Sequence, residues 1–204
     1  MRVPYVVGVS GASGTPYARA VVNALLDAGH PVDLVVSRAA RLTLLDETGI
    51  TWRDTPEDLA TWLGRDGDVR HWGHADLAAG PSSGSYPTHG MAVVPASTAA
   101  VAGIAYGLSK DLLQRAADVT LKERRRLVVV PRETPLSRGQ LVSMLALHDA
   151  GAVVLPASPA FYTGPTDVQQ LVDFVAGRVL DALGVRHDLY RRWTGELGSG
   201  RRES

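Results

Sequence analysis

The chain reads as an α/β protein built on a parallel sheet with helices over both faces, and three observations predict this. Short runs of β-branched and other apolar residues recur, each too uniformly hydrophobic for a half-exposed strand. Between them lie segments whose apolar residues fall at helical spacing. Strand and helix alternate for most of the length, the pattern that joins parallel neighbours by right-handed crossovers. At 204 residues the chain suits a single domain with a sizeable core, placed at 1–185. Residues 186–204 then form a charged, Gly-rich tail whose final residues are expected to be disordered.

The elements follow in order. Val3–Ser10 predicts a first strand, followed by the small-residue loop Gly11-Ala12-Ser13-Gly14. Pro16–Ala28 is a helix with Ala20, Val21, Ala24, Leu25 and Ala28 on one face, and it stops at Gly29. Val32–Val36 is a second strand and Ala39–Glu47 a second helix. Residues 49–90 carry the weakest periodicity and are expected to hold a helix and long loops. Regular patterning returns with a strand at Met91–Pro95 and helices at Thr98–Tyr106 and Lys110–Arg124. A strand at Leu127–Val130, a helix at Arg138–Ala150, a strand at Ala152–Leu155 and a helix at Thr166–Leu183 complete the series.

Composition removes several function classes. Lys plus Arg and Asp plus Glu number 21 each, so there is no net positive field for nucleic acid or an anionic membrane surface. The chain has no cysteine, which excludes disulfides, thiolate zinc sites and iron–sulfur clusters. His71-Trp72-Gly73-His74 has no acidic or histidine partner at ligand spacing in sequence, so no metal is expected there. Met1–Tyr5 shows no signal-peptide pattern and no apolar run reaches membrane-spanning length, which makes the cytoplasm the expected compartment.

What directly follows each strand carries the chemistry. The loops read Ser10-Gly11-Ala12-Ser13-Gly14, Ser37-Arg38, Ser97-Thr98, Arg132-Glu133-Thr134 and Ala157-Ser158-Pro159-Ala160-Phe161-Tyr162. Small hydroxyl residues where helices begin place backbone N–H donors and positive helix ends at one edge of the sheet, which suits a phosphate. In any one loop a helix cap is the better explanation; several converging on one edge point to a ligand. Gly8, Gly11 and Gly14 do not spell the dinucleotide fingerprint, and no acidic residue closes the second strand, which disfavours NAD. A mononucleotide such as FMN needs only one phosphate cradle and a planar slot.

Charged residues add a second signal. Arg115 and Lys122 share a helix face seven residues apart, with Asp118 near the same stripe. A solvated face accounts for Glu123–Arg126, but less well for Arg115 among Leu112, Leu113, Ala116 and Ala117. Arg132-Glu133 stands at the tip of a central strand, where a ligand or a surface ion pair are both open readings. Glu47, beside Asp46, would alone pass for a surface carboxylate. Ser83-Gly84-Ser85 lacks the preceding strand of a hydrolase elbow and reads as a flexible polar loop. Residues 76–90 hold too little apolar surface to fold on themselves and are expected to pack across a subunit interface.

These residues together resemble the flavin prenyltransferases of the UbiX type. The resemblance rests on Val9–Gly14, Ser83-Gly84-Ser85, Arg115-Ala116-Ala117-Asp118-Val119 with Leu121–Arg125, Arg132-Glu133-Thr134-Pro135-Leu136 and Pro159-Ala160-Phe161-Tyr162. It runs from Val6 to Trp193 in the family's order, and the Arg-Ala-Ala-Asp-Val to Leu-Lys-Glu-Arg-Arg stretch is its most specific part. It implies a three-layer αβα Rossmann-like, flavodoxin-type sandwich assembled as a homododecamer. It implies that a dimethylallyl group passes from dimethylallyl phosphate to N5 and C6 of reduced FMN without a metal. The resulting prenylated FMN would serve a partner decarboxylase. By position, Gly11, Ala12 and Ser13 would cradle the flavin, with Ser37, Ser97, Thr98, Ala99, Ala100 and Arg132 binding FMN further along. Tyr162 and Arg178 would contact the allylic phosphate, with Arg115, Lys122 and Glu133 completing its cage. Ser13 and Glu47 would handle protons, and Trp193 would help close the site.

The implied chemistry is physically coherent. A leaving phosphate needs cations to offset its developing charge, and Arg115, Lys122 and Arg178 supply them. An allylic cation is stabilised over aromatic faces such as Tyr162 and Trp193. Removing a ring proton requires a base, either Glu47 or the released phosphate. Two positions depart from the family's pattern: Ala100 stands where Thr is usual, and Leu112 where Asn is common. Two rival readings share the features above. An FMN-dependent decarboxylase of the same fold is disfavoured, because no His lies between Met1 and Gly29 and no Cys is present. A flavin-binding or storage module would bind FMN with a broken phosphate cage, whereas every cage residue is here.

Overall fold

The computed structural model describes residues 3–195, so the last residues of the tail, expected to be disordered, lie outside the described residues. The strands are β1 (Tyr5–Val9), β2 (Val32–Val36), β3 (Val69–Trp72), β4 (Gly90–Ala96), β5 (Arg126–Pro131) and β6 (Val153–Val154). The α-helices are α1 (Thr15–Asp27), α2 (Ala40–Thr48), α3 (Pro56–Leu63), α4 (Thr98–Ala105), α5 (Leu112–Lys122), α6 (Arg138–Asp149) and α7 (Val168–Leu183). All six strands are parallel, in the order β3-β2-β1-β4-β5-β6. The chain thus steps outward from β1 in one direction, then returns and steps outward from β4 in the other. The order reverses between β1 and β4, and there the loops at the carboxyl ends diverge and leave a crevice.

Side-chain alternation sends each strand's residues to two cores. Val7, Val9, Leu34, Val36, Val94 and Val130 meet one helix layer at Val21, Val22 and Leu25 of α1 and Val175 and Val179 of α7. Val6, Val35, Met91, Val93, Leu127 and Val129 meet the other layer at Ile104 of α4, Leu113 and Ala117 of α5 and Leu147 of α6. The result is the three-layer αβα Rossmann-like sandwich. Leu112, one of the two departures, is fully buried, and its N–H donates to His74 O at 2.8 Å.

Two stretches differ from the sequence reading. Residues 49–90 contain the expected helix, α3, but also the edge strand β3, whose register pairs Val32 with Val69 and Val35 with Trp72. Its sequence, Val-Arg-His-Trp, carries no apolar run, because an edge strand is half-open and needs little burial. The 76–90 stretch also has anchors within its own chain, beyond the little apolar surface the sequence displayed. Ala79 and Pro81 are buried, and Arg125 donates to Gly84 O at 2.7 Å, Tyr86 O at 2.9 Å and Thr88 Oγ1 at 3.2 Å. Tyr86 OH donates to the buried Asp33 at 2.9 Å. Polar ties from a remote arginine replace the apolar anchor that the loop lacks, and Ser83-Gly84-Ser85 is held rather than loose.

Candidate active site

The reversal point holds a cleft of about 850 Å³ lined by Ser10, Gly11, Ser37, Ala39, Arg41, Leu42, His74, Ser97, Ala99, Ala100, Lys110 and Leu113, among others. Its walls are built by loop-to-loop stitching. Ser10 Oγ donates to Pro95 O at 2.9 Å and accepts the Ser97 N–H at 2.7 Å, which ties the end of β1 to the start of α4. Gly11 runs so close to the second loop that a Cβ there would meet the Ala39 Cβ at 2.5 Å. Only a residue without a side chain permits that approach.

The hydroxyls at the helix starts do serve as caps. Ser97 Oγ accepts the Ala100 N–H at 3.2 Å, and Ser37 Oγ accepts the Ala40 N–H at 3.2 Å. Capping uses the oxygens and leaves each hydroxyl proton to donate. The N–H groups of Thr98 and Ala99, in the first turn of α4, have no intrahelical acceptor. The cleft therefore offers hydroxyl and N–H donors at a positive helix end beside the apolar Leu42, Ala39, Ala99 and Leu113, which is the donor set a phosphate and a planar ring require. Ala100, the other departure, lines this cleft and donates its N–H to Ser97, so the side-chain hydroxyls lining it are those of Ser10, Ser37 and Ser97, and Thr98 is not in the lining.

Gly14, Glu47 and Arg132 define the rim. α1 begins after Gly14, which has φ of 114° and no side chain with which to cap the helix. Glu47, at the end of α2, supplies the cap from outside. Its Oε1 accepts the Gly14 N–H at 2.8 Å, and its Oε2 accepts the Thr15 N–H at 2.8 Å and the Thr15 hydroxyl at 2.7 Å. Burial pushes the Glu47 carboxyl up, but hydrogen bonds from the Ser13 and Thr15 hydroxyls and the two N–H groups outweigh it and hold its pKa below 4.5. Arg132 Nε donates to Ser13 O at 3.1 Å, joining the tip of β5 to the first loop. Glu133 beside it is exposed and accepts the Thr134 N–H at 3.0 Å.

The expected phosphate cage divides into two groups. At one, Arg115 donates to Asp118 at 2.7 Å and to Ser82 O at 3.1 Å, and Lys122 pairs with Glu123 at 2.6 Å. Gly84 lies against this pair, since a Cβ there would stand 2.8 Å from Lys122 Nζ. At the other, Tyr162 meets Trp193 edge-on at 5.6 Å and Phe174 at 6.0 Å, and Arg178 pairs with Asp181 at 3.1 Å. Lys122 precedes β5 whereas Glu133 follows it. The strand's length, roughly 20 Å, keeps these two apart within one chain. One chain therefore does not gather Arg115, Lys122 and Glu133 into a single cage.

Several cleft residues escaped the sequence reading. Arg41 Nη2 contacts Asp54 at 2.5 Å and His74 Nδ1 at 3.3 Å, and Trp52 Nε1 donates to Asp54 at 2.8 Å. Burial holds the pKa of His71 below 6.5, although Asp54 lies 3.5 Å from its Nε2. Tyr17 packs under Gly14, and its hydroxyl feels both Arg132 and Glu47. Arg41 lies four residues after the second strand's Ser37, and that one-turn spacing is the signal that could have found it. Asp54 and His74 carried no such mark. Among the described residues no group of three His, Cys, Asp or Glu could hold a metal ion.

Comparison with known proteins extends these observations. The family described as Flavoprotein matches residues 2–180. A protein from Streptomyces coelicolor called flavin prenyltransferase UbiX is 67% identical over 213 residues, covering 98% of this chain and 99% of its own length. The crystal structure of AnUbiX (PadA1) in complex with FMN and dimethylallyl pyrophosphate superposes with a TM-score of 0.86 at 39% identity, over 96% of this chain and all of that one. A dodecameric FMN-dependent Ubix-like decarboxylase from Escherichia coli O157:H7 gives a TM-score of 0.84 at 42% identity, over 95% of this chain and all of that one.

Proposed function

The chain belongs to the UbiX-type flavin prenyltransferases of the flavoprotein family, and from that premise we propose how its residues transfer a dimethylallyl group from dimethylallyl phosphate to N5 and C6 of reduced FMN. The carrying observation is the cleft at the β1/β4 reversal, with capped hydroxyls and a helix start on one side and an apolar slot on the other. When bound there, reduced FMN supplies the nucleophilic ring atoms. Ser37, Ser97, Thr98 and the first turn of α4 hold its phosphate, Gly11 and Ala12 leave room for its ring, and Arg132 clamps the rim against Ser13.

Arg178, Lys122 and Arg115 offset the charge that grows on the departing phosphate. Tyr162 and Trp193 present aromatic surface to the allylic carbon. Ser13, whose side chain is exposed at the rim, is placed to pass a proton. Glu47 keeps the loop that carries Ser13 in place, and its low pKa and occupied oxygens favour the released phosphate as the base. Because one chain keeps Lys122 apart from Glu133, the cage closes between copies, as a dodecamer of the kind described for the Escherichia coli relative allows. Glu133 would then meet Lys122 of a neighbouring subunit. The prenylated FMN leaves for a partner decarboxylase. No helix among the described residues is long and apolar enough to cross a membrane. We place the enzyme in the cytoplasm, since a chain without cysteine has no need of an oxidising compartment.

The test is anaerobic incubation of the FMN-loaded protein with dithionite and dimethylallyl monophosphate, followed by mass spectrometry of the extracted flavin. A mass gain of one dimethylallyl unit with release of phosphate is expected. Unchanged FMN would instead support a storage module.

A further inference from the structure

The carboxylate of Asp181, on the last turn of α7, is the hub of a network the reaction scheme does not yet use. Tyr190 OH donates to its Oδ2 at 2.5 Å, Arg178 Nη1 to Oδ2 at 3.1 Å and Arg192 Nη1 to Oδ2 at 2.9 Å, while His187 Nε2 lies 3.1 Å from Oδ1. A carboxylate has about four acceptor positions, and four partners surround this one, with Arg192 Nη1 also 2.8 Å from Oδ1. Three of the partners belong to the segment after α7, and the fourth is the cation assigned to the allylic phosphate.

The packing shows how that segment is seated. α7 ends at Gly184, and the chain then turns back along the helix it has just left. Gly177 opens the groove. A Cβ there would stand 2.6 Å from the rings of both His187 and Tyr190, which accounts for a glycine inside a helix that glycine otherwise weakens. Tyr190 lies tilted against Phe174 with ring centroids 4.9 Å apart, and Trp193 arrives edge-on at Tyr162. The segment therefore works as a strap, with Asp181 as its latch and Trp193 at its far end.

We propose that Asp181 is a positioning residue for prenyl transfer, which aims Arg178 at the allylic phosphate and latches the 187–193 strap so that Trp193 closes over Tyr162. This rests on the assignment of Arg178, Tyr162 and Trp193 given above. Arg178 spends only Nη1 on Asp181 and Tyr190. Its Nε and Nη2 make no hydrogen bond among the described residues and remain for a phosphate, which a guanidinium can bind with two parallel donors. Fixing one end of the fork sets the direction of the other, and a misplacement of about 1 Å in such a group is felt strongly in rate and binding.

The experiment compares Asp181→Asn, Asp181→Glu and Tyr190→Phe in the assembled, FMN-loaded protein. It measures KM for dimethylallyl monophosphate, the Kd for FMN, and hydrogen exchange across 187–193 in the FMN-free protein. Asp181→Asn should raise the allylic-phosphate KM about tenfold, leave the FMN Kd within about twofold and remove protection from the strap. Asp181→Glu should recover most of both effects. Tyr190→Phe keeps its ring on Phe174 and leaves the Arg178 pair intact, so it should loosen the strap with a smaller rise in KM. Asp181→Asn with wild-type KM in an active enzyme overturns the proposal, as does a parallel loss of FMN affinity. Should Asp181→Asn fail to fold, Tyr190→Phe with unchanged strap protection and unchanged KM overturns it. Wild-type protein that never consumes the allylic phosphate would instead overturn the transferase assignment and this role with it.

Discussion

Replacing Glu47 by Ala removes the acceptor shared by the Gly14 N–H, the Thr15 N–H and the Thr15 hydroxyl. Gly14 has no side chain to take over, so the start of α1 loses its cap, and Thr15 is fully buried. Loss of an N-cap commonly costs about 1 kcal/mol, and a hydrogen bond to a charged group contributes about 1.5–3 kcal/mol. Water reaches part of this half-exposed rim, so a net loss of about 2–3 kcal/mol is expected rather than the full sum. In a chain of this size each kcal/mol lowers Tm by about 2–4 °C, which gives a fall of about 4–12 °C. Urea and thermal denaturation of the FMN-free protein at neutral pH measure it. Glu47→Gln should lie in between, since one amide oxygen still accepts while the amide NH2 confronts a donor. The sign with pH follows from the depressed carboxyl. Its stabilisation is complete above the ordinary 4.5 and is lost as pH falls through the lower folded value, so wild type and Glu47→Gln should converge in acid. A Glu47→Ala protein within about 0.5 kcal/mol of wild type would refute the capping account. With the released phosphate as the base, folded Glu47→Gln should still complete the four-ring product at a near-normal rate, and normal consumption of allylic phosphate with a lagging final product would instead make Glu47 the base.

Three further outcomes are expected. Arg132→Ala should weaken FMN retention, read as flavin occupancy after gel filtration, because the rim loses both a cation and its tie to Ser13; equal occupancy counts against the placement. Lys122→Ala should slow consumption of the allylic phosphate on the order of a hundredfold, about 3 kcal/mol of barrier, with FMN binding retained; a near-normal single-turnover rate removes Lys122 from the cage. Sedimentation should find an assembly larger than one chain, since the cage residues on either side of β5 do not meet within it, and a fully active monomer would contradict closure between copies.

The sequence by itself determined the layers and the edge of the sheet on which the cleft opens. Both are written locally: an apolar run of five residues declares a buried strand, helical spacing declares the covering face, and small hydroxyl residues mark the helix starts. The motif from Arg115 to Arg125 was legible for the same reason, being contiguous. What the sequence left open is who meets whom across the sheet. Glu47 looked like a surface carboxylate until the fold brought it to Gly14, 33 residues earlier in the chain. The edge strand β3 had no apolar run to announce it, and the 82–88 loop looked unanchored because its anchor, Arg125, lies 37–41 residues further on. Asp181 was one acidic residue on a long helix until the strap folded back over Gly177. Lys122 and Glu133, close in sequence, stand at opposite ends of β5, a separation the sequence alone did not display. Periodicity is a property of a chain segment, whereas these contacts depend on strand order and on the direction in which each helix returns, and only the tertiary structure decides those.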